Sequence, residues 1–193
     1  YGFASQADYR IRSVAYEGAC SRFVLHHEGV SLGEIALGMP GQHNVANAAA
    51  AAAAAHQLSI PFTAIQSALD GFSGVQRRFT VVGEREGVLY VDDYGHHPVE
   101  IEATLGAACE GYPERRVVAV FQPHRFTRVR DLWTEFCGCF NRADRVVVCP
   151  VYPAGESPIE GVDHERLAQE IRDRGHRSVW SVDSLEQAVT LLE

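Results

Sequence analysis

The strongest constraint on the fold is an alternation. Short apolar, β-branched runs at 88–91, 117–121, 146–151 and 179–182 are each followed by a stretch of helical character. These stretches lie at 98–109, 128–140, 164–174 and from Ser184 onward. Within the runs the apolar residues are consecutive rather than spaced two apart, the pattern of strands covered on both faces. Strand–helix alternation of this kind predicts a parallel sheet with helices on either side.

The part before residue 79 reads differently. Runs at 9–16, 22–27 and 31–37 suggest strands, and Glu28-Gly29 makes a turn between the last two, so an antiparallel ribbon is expected. Met39-Pro40-Gly41 breaks the chain. Two helices are then expected: 43–58, built on alanine, and 62–71, with Ile65, Leu69 and Phe72 on one face. The charge shifts at the same place. Five Arg balance five acids up to residue 78, while 12 Arg face 20 acids beyond it. The expected fold class is therefore α/β. A Rossmann-like, open, mostly parallel sheet over 79–193 follows a part of antiparallel strands plus two helices over 1–78. No G-x-G-x-x-G is present, so a dinucleotide site is not indicated.

Composition narrows the function classes. The 193 residues suit one large domain or two small ones, and 46% hydrophobic residues can bury a core. All 17 basic residues are Arg, which excludes a phosphate-loop lysine or a Schiff-base lysine within this chain. A net charge of −8 argues against nucleic acid as partner. No apolar run approaches 18 residues, so no membrane partner is expected. Five scattered cysteines suggest reduced thiols in a cytoplasm rather than disulfides or a thiolate metal site. The chain opens on Tyr1-Gly2-Phe3 without a signal-peptide pattern and reads as the middle of a longer polypeptide.

Ligands of open parallel sheets bind at the carboxyl ends of the strands. Three successive strand ends here carry polar loops punctuated by Pro or Gly. The first, Asp92-Asp93-Tyr94-Gly95-His96-His97-Pro98, has carboxylates that suit ribose hydroxyls or a cation, and imidazoles that suit an anion or acid–base work. It also reads as a capped βα turn with Pro98 opening a helix. The second, Gln122-Pro123-His124-Arg125-Phe126-Thr127-Arg128, sets Arg125 and Arg128 three apart at a helix start, as a carboxylate or phosphate clamp or as a solvated face. The third, 150–156, includes Gly155-Glu156 and receives no role. If the sheet is parallel, all three loops share one edge. Upstream, Gly41-Gln42-His43-Asn44-Val45-Ala46-Asn47 leads into the alanine helix. Asn44 reads as a helix cap, or with Asn47 as an amide pair for a purine edge. Arg77-Arg78 lies at the expected boundary, where it could meet phosphates.

Four patterns together resemble the Mur ligases: the 41–47 segment with its alanines, Gly74-Val75-Gln76-Arg77-Arg78-Phe79, the 92–98 loop, and Phe121 with the 122–128 loop. Their order and spacing match over the whole chain, and the last two are most similar to the branch that adds L-alanine. The resemblance implies a three-domain enzyme with a UDP-sugar domain, a central ATPase domain and a C-terminal Rossmann-like domain. Residues 1–78 would end the central domain and 79–193 would form most of the third. The phosphate loop and its lysine would lie upstream, and a last strand and helix beyond residue 193.

The implied reaction uses ATP and Mg²⁺ to activate the carboxylate of UDP-N-acetylmuramate as an acyl phosphate, which the amine of L-alanine attacks. By resemblance, His43, Asn44 and Asn47 belong to the adenine region, Arg78 to the ribose or phosphates, and Asp93 to ribose hydroxyls. Tyr94, His96, His124, Arg125 and Arg128 would hold the amino acid and the muramoyl carboxylate, with His124, Arg125 and Arg128 catalytic. No metal ligand is assigned within the chain. The nucleotide site would be divided at a hinge, with Arg78 near it and Asp93 beyond. Three other readings stand beside this one: a murein-tripeptide recycling ligase of the same family, a metal-dependent hydrolase built on Asp92, Asp93, His96, His97 and His124, and a non-catalytic nucleotide- or partner-binding module.

Overall fold

The computed structural model describes residues 1–192 and divides the chain into two compact units. The first holds residues 1–94 and 106–113, and the second 95–105 together with the chain from 114 onward.

In the first unit, strands β1 (Tyr9–Glu17), β2 (Cys20–His27) and β3 (Val30–Leu37) form an antiparallel sheet in sequence order. Glu28 and Gly29 both adopt positive φ at the β2–β3 turn, as the sequence predicts. Alternate residues of the sheet face inward. Ile11, Phe23, Leu25, Ile35 and Leu37 are buried, each stabilising the unit by about 2 kcal/mol. Helix α1 (Gln42–Gln57) meets them with Val45, Ala48, Ala49, Ala52 and Ala53, spaced at the helical repeat. Helix α2 (Phe62–Asp70) adds buried Ile65 and half-buried Leu69. Phe72, expected on the same face, lies past the Gly71 cap and is exposed, because the helix stops first.

The run at 88–91 is a correction. It forms β5 (Val88–Asp92), which pairs antiparallel with β4 (Thr80–Arg85) in a separate two-stranded sheet. It takes no place in the parallel sheet. Glu86 (φ 52°) and Gly87 (φ 77°) close the hairpin, the same Glu-Gly turn chemistry as at 28–29. Val88, Tyr90 and Val91 are exposed, so consecutive β-formers here reflect strand propensity and not burial.

The second unit contains the parallel sheet: β6 (Val118–Phe121), β7 (Arg145–Val148) and β8 (Val179–Ser181), in that spatial order. Central β7 buries Val146, Val147 and Val148, and the edge strands leave Val120 and Trp180 exposed. Phe121, Phe136, Phe140, Leu167 and Ile171 fill the core. Helix α3 (Pro98–Gly111) begins in this unit, and its last turns count with the first. The helix expected over 128–140 is two short ones, α4 (Phe126–Asp131) and α5 (Trp133–Phe136), broken at Leu132 (φ −116°). Helix α6 (His164–Asp173) starts on Asp163, whose carboxylate accepts from the Arg166 N–H at 2.7 Å. Helix α7 (Leu185–Leu192) follows β8. Parallel and antiparallel sheets thus coexist, and the α/β class holds. No helix among the described residues is long and apolar enough to cross a membrane.

Candidate functional site

The loops after β6 and β7 are zipped to each other. Tyr152 donates its N–H to the Pro123 carbonyl at 2.8 Å, and Arg125 donates its own to the Tyr152 carbonyl at 2.9 Å. His124 and Tyr152 form an isolated parallel bridge, and their rings stack 5.4 Å apart. This continues the sheet's pairing one step past its carboxyl edge, where α/β ligand sites form.

Arg125 occupies the N-cap of α4 with φ 72° and ψ 127°, a conformation that costs a non-glycine residue on the order of 1 kcal/mol or more. Its side chain is exposed. Arg128 sits on the first turn, half-buried, with Nη1 3.2 Å from the His124 carbonyl and 3.3 Å from His124 Nδ1. That contact makes Nδ1 the acceptor and leaves the proton on Nε2. Burial, then the Arg128 and Arg125 cations and His96, hold the His124 imidazole below its ordinary range, against an opposing effect of Glu156. His124 is therefore neutral at pH 7.

The His96 ring centroid lies 6.2 Å from that of His124. Glu100 fixes the turn before α3, accepting from the His96 and His97 backbone N–H groups at 3.1 Å each. Four predicted residues, His96, His124, Arg125 and Arg128, thus gather in one unit. With them come three that sequence reasoning left out. Tyr152 and Thr127 had no signal as single residues, and Glu156 stood in a loop noticed only for its composition. Tyr94 counts with the other unit, where the Arg77 guanidinium lies 4.8 Å above its ring.

The nucleotide candidates His43, Asn44, Asn47, Arg78 and Asp93 all belong to the first unit. The sequence placed Asp93 beyond a hinge from Arg78, but the compact unit holds both. Partial burial depresses the His43 imidazole and Arg78 adds to that, while Asp93 and Glu110 oppose it. Asp93 accepts from the Phe79 N–H at 2.8 Å. Gly41, not Asn44, is the N-cap of α1. Asn44 is buried inside the first turn and donates its amide to the Pro40 carbonyl at 2.7 Å. Asn47 is exposed. Arg77 (φ 59°) and Phe79 (φ 49°) flank Arg78 in left-handed backbone, a concentration of strain typical of functional loops.

Among the described residues the one trio able to share an ion is His164, Glu165 and Asp183, on α6 and after β8. It includes none of the residues of the proposed hydrolase centre.

A family model described as "Mur ligase, glutamate ligase domain" matches residues 77–193, and the chain belongs to that Mur ligase family. The relatives narrow the likeness. A UDP-N-acetylmuramate–L-alanine ligase of Geobacter sulfurreducens is 53% identical over 186 residues, covering 96% of this chain and 40% of its own length. One of Geobacter sp. strain M21 is 50% identical over 193 residues, covering all of this chain and 42% of its own. The crystal structure of the UDP-N-acetylmuramate–alanine ligase of Thermotoga maritima superposes with a TM-score of 0.82 at 26% identity, over 98% of this chain and 40% of that one. The chain spans about two-fifths of the length of these relatives.

Proposed function

We propose that the chain is the C-terminal portion of an ATP-dependent ligase that joins L-alanine to the carboxylate of UDP-N-acetylmuramate in cytoplasmic peptidoglycan precursor synthesis. The observation that carries this reading is 50–53% identity, along nearly the whole chain, to relatives bearing that name. Residues 1–78 end a central ATP-binding domain and 79–193 form the ligase domain; the family match beginning at residue 77 supports that boundary.

A carboxylate does not acylate an amine at pH 7, so ATP supplies the leaving group. The muramate carboxylate attacks the γ-phosphate, releasing ADP. The alanine amine then attacks the acyl carbon and expels phosphate, losing a proton as the amide forms. The protein neutralises charge and places the reactants. Arg125 and Arg128 counter the carboxylate and acyl-phosphate charge. Neutral His124, held by Arg128, orients the amino acid with His96 and Tyr94. Arg78 meets the nucleotide near its ribose or phosphates, and Asp93 the ribose hydroxyls. His43 and Asn47 border the adenine, with Asn44 shaping that region through its hold on Pro40. Mg²⁺ neutralises the phosphates when bound, and no residue of this chain is assigned to it. The chain by itself, lacking a phosphate-loop lysine, does not turn over ATP.

The test is a chimera in which this chain replaces the matching 186 residues of the Geobacter sulfurreducens relative. With ATP, Mg²⁺ and UDP-N-acetylmuramate, phosphate release that rises on adding L-alanine is the expected result. A folded chimera that releases none counts against the reading.

A further inference from the structure

The loop after β7 does more than flank the site. Ala154 (φ 49°) and Gly155 (φ 87°) reverse the backbone in two consecutive left-handed steps, and the Glu156 N–H closes the turn on the Pro153 carbonyl at 2.9 Å. The reversal delivers the Glu156 carboxylate to the start of α4. There Oε2 accepts from the Thr127 N–H at 3.0 Å and Oε1 from the Thr127 hydroxyl at 2.7 Å. Arg125, two residues earlier, is strained, and its N–H is tied to the Tyr152 carbonyl. The strained residue is therefore clamped on both sides by one segment, 152–156. A conformation of this cost persists only when its surroundings over-determine it.

We propose that Glu156 is a positioning residue of the site: it fixes the first turn of α4 so that Arg128 stays on His124 while Arg125 is held outward. The Thr127 hydrogen bonds, and after them the Arg125 cation, hold the Glu156 carboxyl below its ordinary range. It acts through Thr127 and the backbone. Its consequence for catalysis rests on the ligase reading, whereas its effect on geometry does not.

Two measurements separate those dependencies. The first is the His124 titration, followed by proton NMR of the 193-residue chain carrying Glu156→Ala. Glu156 is an anion near His124, so deleting a mere charge lowers the imidazole midpoint. Deleting a positioning group releases Arg128 and raises it. Amide exchange over 145–148 reports whether β7 is intact, and Thr127→Val, which removes only the hydroxyl, gives the same sign with a smaller shift. The second measurement is steady-state kinetics of the chimera. Loss of a charge-assisted hydrogen bond predicts a KM for L-alanine raised about 10-fold or more, with Glu156→Gln intermediate. A rise in the midpoint supports the proposal. A fall or no change, with β7 intact, overturns it. A chimera inactive in every form refutes the ligase reading and leaves the NMR result to decide the role of Glu156.

Discussion

His124 is the residue on which the site's electrostatics converge. Its imidazole lies below its ordinary range through burial and then the cations of Arg128 and Arg125. The unfolded chain therefore takes up that proton more readily than the folded one. Stability rises with pH across the window between the lowered native midpoint and about 6.5, and falls on acidification through it. Arg128→Ala removes a neighbouring cation, so the His124 midpoint should climb and the acid-side loss of stability should weaken. Proton NMR titration and urea melts at pH 7 and pH 5 test both together. In the full enzyme Arg128→Ala should reduce turnover roughly 100-fold, the scale of losing one preorganised charge contact. At this scale the sequence was most legible where unusual side chains cluster. His124, Arg125 and Arg128 stand out because capping needs no such set. Tyr152 and Glu156 do not, since their importance comes from pairing with residues 28 or 29 positions away. Asn44 shows the opposite limit: an amide suited to a ligand is spent on the Pro40 carbonyl.

The elements succeed or fail as readings according to how local their causes are. The β2–β3 turn and both helices of the first unit follow from Glu-Gly chemistry and from alanine spacing. The same Glu-Gly pair at 86–87 closes the β4–β5 hairpin, whereas the consecutive apolar residues at 88–91 resemble a strand covered on both faces. The alanine face of α1 makes a sharp prediction. Ala49 and Ala52 are fully buried against the antiparallel sheet, so Ala52→Leu overpacks the core and should cost about 1–3 kcal/mol in urea unfolding. Gly41→Ala should be at least as damaging. Gly41 has φ 95°, and an added Cβ would lie 2.7 Å from the Ala107 Cβ. A melt unchanged by either substitution would contradict the packing described for α1.

For the whole molecule, the charge balance shifts near residue 79 and the family match starts at residue 77, while the compact units part after Tyr94. No local pattern could have foretold that parting, because it depends on the hairpin and the end of α3 counting with the first unit. On the proposed reading, this portion of the whole enzyme selects the amino acid. The most direct measurement is acceptor choice by the chimera, read as product mass with ATP, Mg²⁺ and UDP-N-acetylmuramate. L-alanine competes there against the tripeptide L-Ala-γ-D-Glu-diaminopimelate. UDP-N-acetylmuramoyl-L-alanine with no tripeptide adduct is the expected result. Tripeptide adduct as the main product would contradict it and assign the chain to the recycling branch of the family.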